Sequence, residues 1–365
     1  MSAPLRVGLI GAGNIAEHHL RAFIEFPEIV HLAAVSDRVV ARAEQLAAAS
    51  GHEPRVYSDT AELLRSDDLD AVDICMPHDA HAPIAVAAAE AGLHVLVEKP
   101  MATSLAGCFE MVAAAERAGV TLMVAQNQRY LPTYRAAKAV LDSGELGPIL
   151  ALRTDSIQNW HGFLPDDHWQ YDAVRAGGGV LINVAVHRID LLRYLVGDVR
   201  AVVAAECRTT DPRFVNGAED TATAILEYEN GALGTLFATA NAFRSPWSEQ
   251  FVIFGERGSL HAVPPPGNVR GDAHVASIER SPALDGWASQ FVGFERVDPD
   301  DACLPTDNGQ VNEILHFADC CRQGTEPVSS GSDNLKTMSV VFAIYEAARR
   351  GARVELADLS PVLPT

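Results

Sequence analysis

The sequence lacks long apolar runs and an excess of basic residues. No hydrophobic segment approaches the roughly 18 to 20 residues needed to cross a bilayer. Lys and Arg together number 28 against 48 Asp and Glu, which gives a formal net charge of -20. A chain with this balance repels nucleic-acid phosphates and anionic lipid. We therefore expect no nucleic acid and no membrane among its partners.

Cysteine is also sparse, and none of the cysteines forms a C-x-x-C pair. The six are Cys75, Cys108, Cys207, Cys303, Cys320 and Cys321. The adjacent Cys320 and Cys321 are badly placed to bridge each other. The first strand-like run begins at Leu5, which leaves no room for a signal peptide. We expect free thiols and a cytoplasmic protein.

What is present is the composition of an ordinary globular protein, with 48% hydrophobic and 21% charged residues over 365 positions. That length predicts about two domains. From residue 5 to about 125, short β-rich runs alternate with Ala-rich helical patterns, which is typical of βαβ units. The prediction for residues 1–125 is an α/β Rossmann domain with a doubly wound parallel sheet.

After residue 125 the rhythm changes to a few helical patterns followed by consecutive strands. Asn230-Gly231 joins two alternating runs, which is a strong hairpin signal. We predict that residues 126–365 form an α+β domain with a large, mostly antiparallel open sheet, used for substrate binding and oligomerisation. The outer sheet face needs a cover, which favours a homodimer or homotetramer. The C-terminal helix is a candidate to pack back on the first domain.

A glycine-rich motif, GAGNIA, follows the first predicted strand and opens the first predicted helix. Gly11 permits the tight turn, and Gly13 lets backbone N–H groups approach a pyrophosphate. The helix that begins at Asn14 and Ile15 directs its positive end at the phosphates. The motif therefore predicts dinucleotide binding.

An acidic residue, Asp37, follows the second predicted strand, 24 residues after Gly13. A carboxylate at this point accepts hydrogen bonds from the adenosine ribose and repels a 2′-phosphate, which favours NAD. The alternative is that Asp37 only caps the next helix. The adjacent Arg38 keeps NADP open.

The run VLVEKP ends a predicted buried strand at Glu98, Lys99 and Pro100. Ligands of such sheets bind beyond the carboxyl ends of the strands, where Pro77 and His78 also gather. Pro100 restricts Lys99 to an extended backbone, through a trans or a cis bond. We expect Lys99 to be directed at the nicotinamide end rather than left as a solvated lysine.

A second set of candidate site residues follows Gly177-Gly178-Gly179. The next predicted helix carries Asn183, His187 and Asp190 at i, i+4 and i+7, which places them on one helix face. A polar stripe is unusual in a helix otherwise filled with Val, Ile and Leu. The alternative is a set of hydrogen-bonded packing residues or a solvent-exposed face.

These motifs together resemble the glucose-fructose oxidoreductase, inositol dehydrogenase and rhizopine-catabolism family (Gfo/Idh/MocA), over almost the whole chain. The resemblance implies an NAD(P)-dependent oxidoreductase acting on sugars, inositols or related polyols. Lys99 matches the family's lysine and His187 its acid–base histidine, while His81 keeps a family histidine near the cofactor. Asn183 replaces the family's Asp, and His78 stands where many members have Asn.

The resemblance implies a mechanism in which the substrate hydroxyl lies between Lys99 and His187. His187 would take the proton as hydride leaves, Lys99 would stabilise the oxygen, and Asn183 would orient the hydroxyl. We expect the cofactor to contact Gly11, Gly13, Asn14, Ile15, Asp37, Arg38, Pro77, His78, His81, Glu98 and Lys99. Further substrate candidates are Asn127, Arg129, Tyr130, Trp160, His161 and Trp169.

Several alternatives stay open at the level of sequence. Arg129 is equally suited to a structural salt bridge, and the aromatic loop around Trp160 to packing or a subunit contact. His78-x-x-His81 lacks a third ligand nearby, so no metal is expected. A redox-neutral NAD-dependent glycosidase and a non-catalytic nucleotide-binding regulator remain alternative functions.

Overall fold

The structure is a computed structural model that describes residues 3–66, 68–263, 277–281, 293–298 and 304–359. The chain divides into two compact units. The first comprises Met1–Tyr130 and Thr306–Leu335, and the second Leu131–Pro305 and Lys336–Thr365. Cys303 lies outside the described residues, and the other five cysteines are free thiols.

A six-stranded sheet forms the centre of the first unit. Its strands are β1 (Leu5–Ile10), β2 (Val30–Ser36), β3 (Arg55–Tyr57), β4 (Ala71–Ile74), β5 (His94–Glu98) and β6 (Leu122–Ala125). They are ordered β3-β2-β1-β4-β5-β6, and every pair is parallel. The strand order reverses between β1 and β4, the point at which ligands of such sheets bind. The predicted doubly wound α/β domain is confirmed.

Helices connect these strands. They are α1 (Asn14–Glu25), α2 (Val40–Ala49), α3 (Thr60–Leu64), α4 (His81–Glu90) and α5 (Leu105–Ala118). Gly119 ends α5 in the left-handed conformation with φ of 68°, which glycine adopts without steric cost.

The second unit is built on a nine-stranded sheet. Its strands are β7 (Ile149–Ile157), β8 (Val199–Arg208), β9 (Thr221–Tyr228), β10 (Leu233–Thr239), β11 (Ser248–Gly255), β12 (Ser259–Val263), β13 (Ser277–Arg280), β14 (Glu295–Arg296) and β15 (Val354–Glu355). Their order is β14-β13-β12-β11-β7-β10-β9-β8-β15. Only the β7–β10 pair is parallel among these described strands. The predicted mostly antiparallel sheet is confirmed.

The two faces of this sheet differ in polarity and burial. Along β10, Leu236 and Ala238 are buried, whereas Phe237 is 38% exposed. Phe237 shares the outer face with three further exposed apolar residues, Ile225, Leu233 and Phe254. The outer face is therefore open, with apolar side chains distributed over three strands, β9, β10 and β11.

Further helices complete the chain. They are α6 (Pro132–Asp142), α7 (Ala173–Ala176), α8 (Val186–Val196), α9 (Gly309–Gln323) and α10 (Gly331–Arg350). The apolar face of α9, which includes Val311, Ile314 and Phe317, belongs to the same hydrophobic core as Leu9 and Phe23. This differs from the predicted domain 126–365, because α9 buries its apolar residues in the first unit. No described helix is long and apolar enough to cross a membrane.

Candidate functional site

The glycine loop leaves its backbone accessible where the motif requires it. Gly11 has φ of 95°, and a Cβ there would lie 2.4 Å from the carbonyl oxygen of Cys75. Gly13, by contrast, has nothing within 4 Å of the position its Cβ would take. Asn14 and Ile15 begin α1 directly after it. The open backbone at a helix N-terminus fits a pyrophosphate.

A cavity of about 610 Å³ adjoins this loop. Gly13, Asn14 and Glu17 line it on the side of α1, and Arg42 and Gln45 on the side of α2. Such a volume is within the range of small-molecule sites. The loop and its neighbouring cavity therefore fit the phosphates and sugar of a dinucleotide.

Asp37 connects the end of β2 to the glycine loop. One carboxylate oxygen accepts the Ala12 N–H at 2.9 Å and the other the Val39 N–H at 2.7 Å. The N-cap of α2 is Val39, so Asp37 does not cap that helix. Each carboxylate oxygen can accept a second hydrogen bond, which leaves capacity for ribose hydroxyls. Arg38 is exposed beside it.

Lys99 lies at the carboxyl end of β5 and is half-buried. The Lys99–Pro100 peptide bond is cis, one of the two geometries considered from the sequence. The Lys99 backbone N–H donates to Glu98 Oε2 at 2.9 Å. Glu98 is only 7% exposed, so its carboxylate turns inward and fixes the backbone that carries the lysine.

A buried histidine holds Glu98 in turn. His19, on the inner face of α1, is 0% exposed. Its Nδ1 lies 2.8 Å from Asp73 Oδ2 and its Nε2 lies 3.1 Å from Glu98 Oε1. Because an ionised carboxylate only accepts hydrogen bonds, both ring nitrogens donate and the ring is an imidazolium. The chain of contacts runs from Asp73 through His19 and Glu98 to the backbone of Lys99.

The electrostatics of this group follow from burial and charge. Burial disfavours the His19 imidazolium, but Asp73 and the Cys75 thiol outweigh it and raise the His19 pKa well above its ordinary value. Burial likewise favours protonated Glu98, yet His19 and Lys99 lower the net Glu98 pKa. Burial raises the pKa of Glu313 on α9 well above its ordinary value. Burial therefore favours the protonated form of Glu313, which carries no negative charge.

His81 fixes the loop that follows Lys99. Its Nδ1 lies 2.8 Å from the Pro100 carbonyl oxygen and its Nε2 lies 2.8 Å from that of Met76. The ring is fully buried, and burial lowers the His81 pKa. We expect His81 to serve cofactor binding through this loop. Pro77 precedes His78, which is 5% exposed and packs against the His81 ring.

In the second unit, the three glycines precede the segment that carries Asn183 and His187. A Cβ on Gly178 would lie 2.1 Å from the Tyr345 hydroxyl, and one on Gly179 would lie 1.8 Å from the Glu219 carbonyl oxygen. Both glycines are therefore required by the close approach of neighbouring groups.

The segment Leu181–Ala185 forms a π-helical turn that leads into α8. Such turns widen the helix and are frequent at functional sites. Asn183, 2% exposed, lies within it. Its amide nitrogen donates to the Gly179 carbonyl at 2.8 Å, and its amide oxygen accepts from Gln170 at 3.2 Å. The opposite amide orientation would place two oxygens face to face at Gly179.

His187 is half-buried in the first turn of α8. Asp190 accepts a hydrogen bond from Thr337 on α10 at 2.8 Å and is 1% exposed. Asp190 thus matches the packing alternative for the polar stripe, while Asn183 contacts Gln170 in the 3₁₀ turn Trp169–Tyr171.

A second buried carboxylate holds the start of this segment. Glu219, 2% exposed, precedes β9. Its oxygens accept the N–H groups of Gly179 and Leu181, both at 2.8 Å, and the Tyr345 hydroxyl at 3.1 Å. Burial raises the Glu219 pKa to about 7, although the N–H groups of Leu181 and Gly179 oppose the shift.

The substrate candidates after β6 lie deeper than the sequence suggested. Arg129 is 2% exposed and pairs with Asp333 at 2.7 Å, which matches the salt-bridge alternative. Tyr130 is 0% exposed and its hydroxyl lies 2.9 Å from that of Ser329. Both side chains already have polar partners inside the first unit, so the proposed site does not include them. Asn127 is half-buried.

The aromatic substrate candidates of the second unit differ in burial. Trp160 is 3% exposed, donates to Gln158 and stacks on Phe214 with 5.7 Å between ring centroids. It matches the packing alternative, because its ring faces the interior. His161 is exposed with its Nε2 2.7 Å from Asn241, and Trp169 is half-buried. His161 and Trp169 remain candidates for substrate contact.

Sequence reasoning missed the residues that hold the predicted ones. They are His19, Asp73, Gln170, Glu219 and Tyr345. Asp73 had a signal, since a charge within the buried run AVDIC requires a partner. His19 lies among the apolar positions of an amphipathic helix. The partners of Gln170, Glu219 and Tyr345 are distant in sequence and gave no local signal.

Comparison with known proteins agrees with this geometry. Residues 5–126 match the family described as "Oxidoreductase family, NAD-binding Rossmann fold", and residues 134–261 match the "GFO/IDH/MocA C-terminal domain". D-apiose dehydrogenase of Paraburkholderia graminis is 33% identical over 98% of this chain and 91% of its own. Myo-inositol 2-dehydrogenase of Thermotoga maritima is 26% identical over 97% of this chain and 99% of its own.

Among solved structures, a levoglucosan dehydrogenase in complex with NADH and levoglucosan superposes with a TM-score of 0.86 and 27% identity. The match covers 96% of this chain and 99% of that one. Both halves of the chain match one family, and the relatives cover nearly the whole chain. The NAD expectation is confirmed. The chain belongs to the GFO/IDH/MocA oxidoreductase family and is an NAD-binding enzyme.

Proposed function

We propose that this protein transfers hydride between NAD and a hydroxyl or carbonyl group of a sugar, inositol or related polyol. The dehydrogenases it resembles are named for such substrates. The observation that carries the proposal is the network that fixes Lys99 at the carboxyl end of β5, in the unit that contains the glycine loop. Bound NAD would supply the hydride acceptor.

Lys99 would donate a hydrogen bond to the reacting oxygen and stabilise the negative charge that develops there. Its backbone is held by a buried carboxylate, so the side chain starts from a fixed position. His187 would remove the hydroxyl proton as a general base, which typically accelerates a reaction by about 10² to 10⁴. Both assignments rest on the match of these residues to the family's motifs.

Asn183 would orient a substrate hydroxyl without exchanging a proton. An amide has no ionisable proton near neutral pH, and both ends of this amide already contact the protein. The family's Asp could share a proton with the histidine, whereas Asn183 cannot. We therefore assign proton removal to His187 alone and a positioning role to Asn183.

The cofactor preference would be NAD over NADP, because a 2′-phosphate would meet the carboxylate of Asp37. Arg38 offers a nearby positive charge that permits weaker use of NADP. The ratio of kcat/KM for the two cofactors measures this preference. A clear preference for NADP would overturn it.

The first experiment is NADH formation, followed by near-ultraviolet absorbance, with inositols, aldoses, deoxy sugars and sugar acids. Reduction with one substrate class supports the proposal. Sugar release from a chromogenic glycoside, without net NADH formation, would instead identify a redox-neutral glycosidase. NAD binding without turnover of either kind would identify a regulator.

The open sheet face would pair with a second copy of the chain. Ile225, Leu233, Phe237 and Phe254 present apolar groups there, and covering them by association removes apolar surface from water. We propose a homodimer or homotetramer in the cytoplasm, where the free thiols stay reduced. Light scattering of the wild type and of Phe237→Glu tests the association; a monomeric wild type contradicts it.

A further inference from the structure

We propose that Glu219 and Tyr345 form a latch that positions the π-helical segment of Asn183 for the reaction. The latch is the pair of side chains that meet at the start of this segment. The inference rests on the proposed function. Glu219 and Tyr345 would be positioning residues, because they act through backbone groups and not on substrate.

The first step is the way Glu219 meets the backbone. The side chain accepts the N–H groups of Gly179 and Leu181, while its own carbonyl oxygen accepts the Val180 N–H at 2.8 Å. The first N–H groups of a helix have no partner within the helix. One residue therefore satisfies three consecutive donors and fixes the direction in which the segment starts.

The second step connects the latch to Asn183. Gly179 donates its N–H to Glu219 and accepts the Asn183 amide at its carbonyl oxygen. Gly179 therefore connects the two residues, because its N–H binds the Glu219 carboxylate and its carbonyl oxygen binds the Asn183 amide. A displacement of Gly179 would move the acceptor that orients the Asn183 amide.

The third step is the tight packing around the latch. The Tyr345 hydroxyl donates to Glu219 at 3.1 Å and occupies the space where a Cβ of Gly178 would lie. No side chain at positions 178 or 179 fits without a shift of these groups. The two glycines therefore permit the latch contacts, and these contacts restrict the position of the segment's first residues.

The test is Glu219→Gln, with Glu206→Gln at an exposed residue of β8 as the matched control. The glutamine amide can accept only one of the two N–H groups and directs its own N–H at the other. We expect faster amide hydrogen exchange at Gly179 or Leu181 in Glu219→Gln and wild-type exchange in the control. This readout needs no turnover, so it holds even if the proposed activity fails.

With an active substrate, kcat should fall by about tenfold to a hundredfold, the typical cost of a misplaced catalytic group. The NAD dissociation constant should not change. Tyr345→Phe should show the same pattern at smaller amplitude, and it serves if Glu219→Gln fails to fold. Exchange and kcat equal to those of Glu206→Gln in a folded Glu219→Gln would overturn the latch.

Discussion

Each unit has a buried carboxylate that holds proposed site residues, and the two carboxylates ionise differently. Glu98, 7% exposed, holds the backbone of Lys99; Glu219, 2% exposed, holds the segment of Asn183. Burial favours the protonated form of both. Nevertheless the Glu98 pKa is lowered, whereas the Glu219 pKa is raised to about 7.

The difference lies in the charge of the partners. Glu98 contacts the His19 imidazolium, and Glu219 contacts two backbone N–H groups and a phenol. Three neutral donors do not offset the loss of hydration around Glu219, while the positive charges of His19 and Lys99 do so for Glu98. The backbone of Lys99 is therefore held by an ionised network, whereas the Asn183 segment is held by a carboxyl group that titrates at about pH 7.

The largest expected effect comes from removing the cation. His19→Gln would leave Asp73 and Glu98 in the core without the cation that contacts both of them. Breaking a buried ion pair in this way typically costs about 3–5 kcal/mol of unfolding free energy. Urea denaturation measures it, with His18→Gln, the exposed neighbour on α1, as control. Equal stability of the two variants would show that the ring is not an imidazolium.

The next effect concerns catalysis. Lys99→Met removes the ammonium group but keeps the backbone N–H that Glu98 accepts, so the network stays intact. We expect kcat to fall by about 10² to 10³, or roughly 2.7–4 kcal/mol, the usual cost of losing one charge-stabilising donor. NAD affinity and unfolding free energy should change far less than kcat. Lys336→Met, at an exposed lysine, is the control; a similar kcat for both variants would remove Lys99 from the reaction.

The pH dependence of stability separates the two carboxylates further. The Glu219 pKa is about 7 in the folded chain against an ordinary 4.5. Between these values the unfolded chain has lost its proton and the folded chain keeps it, so this stabilisation falls as pH rises and levels off above about 7. Tyr345 and Cys207, which face Glu219, stay neutral because burial raises both pKa values.

From pH 5 to pH 8 the wild type should therefore lose up to about 3 kcal/mol relative to Glu219→Gln, at roughly 1.4 kcal/mol per tenfold difference in proton affinity. Unfolding free energies of both proteins across this range measure the difference. Stability curves of the two proteins that run parallel would contradict the raised pKa. Glu98 causes no such loss of stability as pH rises, because its pKa is lowered from the ordinary 4.5. The stabilisation that Glu98 contributes is present above pH 4.5 and is lost only on acidification.

The sequence predicted the elements of the fold better than the groups that support the site. Strand periodicity, the glycine loop and Asn230-Gly231 are local signals, and the sheets they predicted are present. The α9 helix had an apolar face but no local sign of which unit would bury it. The contacts of Glu219 with Gly179 and of His19 with Glu98 span 40 and 79 residues. No pattern within one element specifies such pairs.

The smallest effect tests whether the family's Asp could stand at position 183 in this chain. In Asn183→Asp, a carboxylate oxygen would replace the amide nitrogen that donates to the Gly179 carbonyl. Two acceptors would then face each other near Glu219, at a cost of about 1–3 kcal/mol. Protonation restores a donor, so the deficit relative to wild type should be present at pH 8 and small near pH 4. A deficit independent of pH would mean that shape, and not the missing donor, selects Asn183.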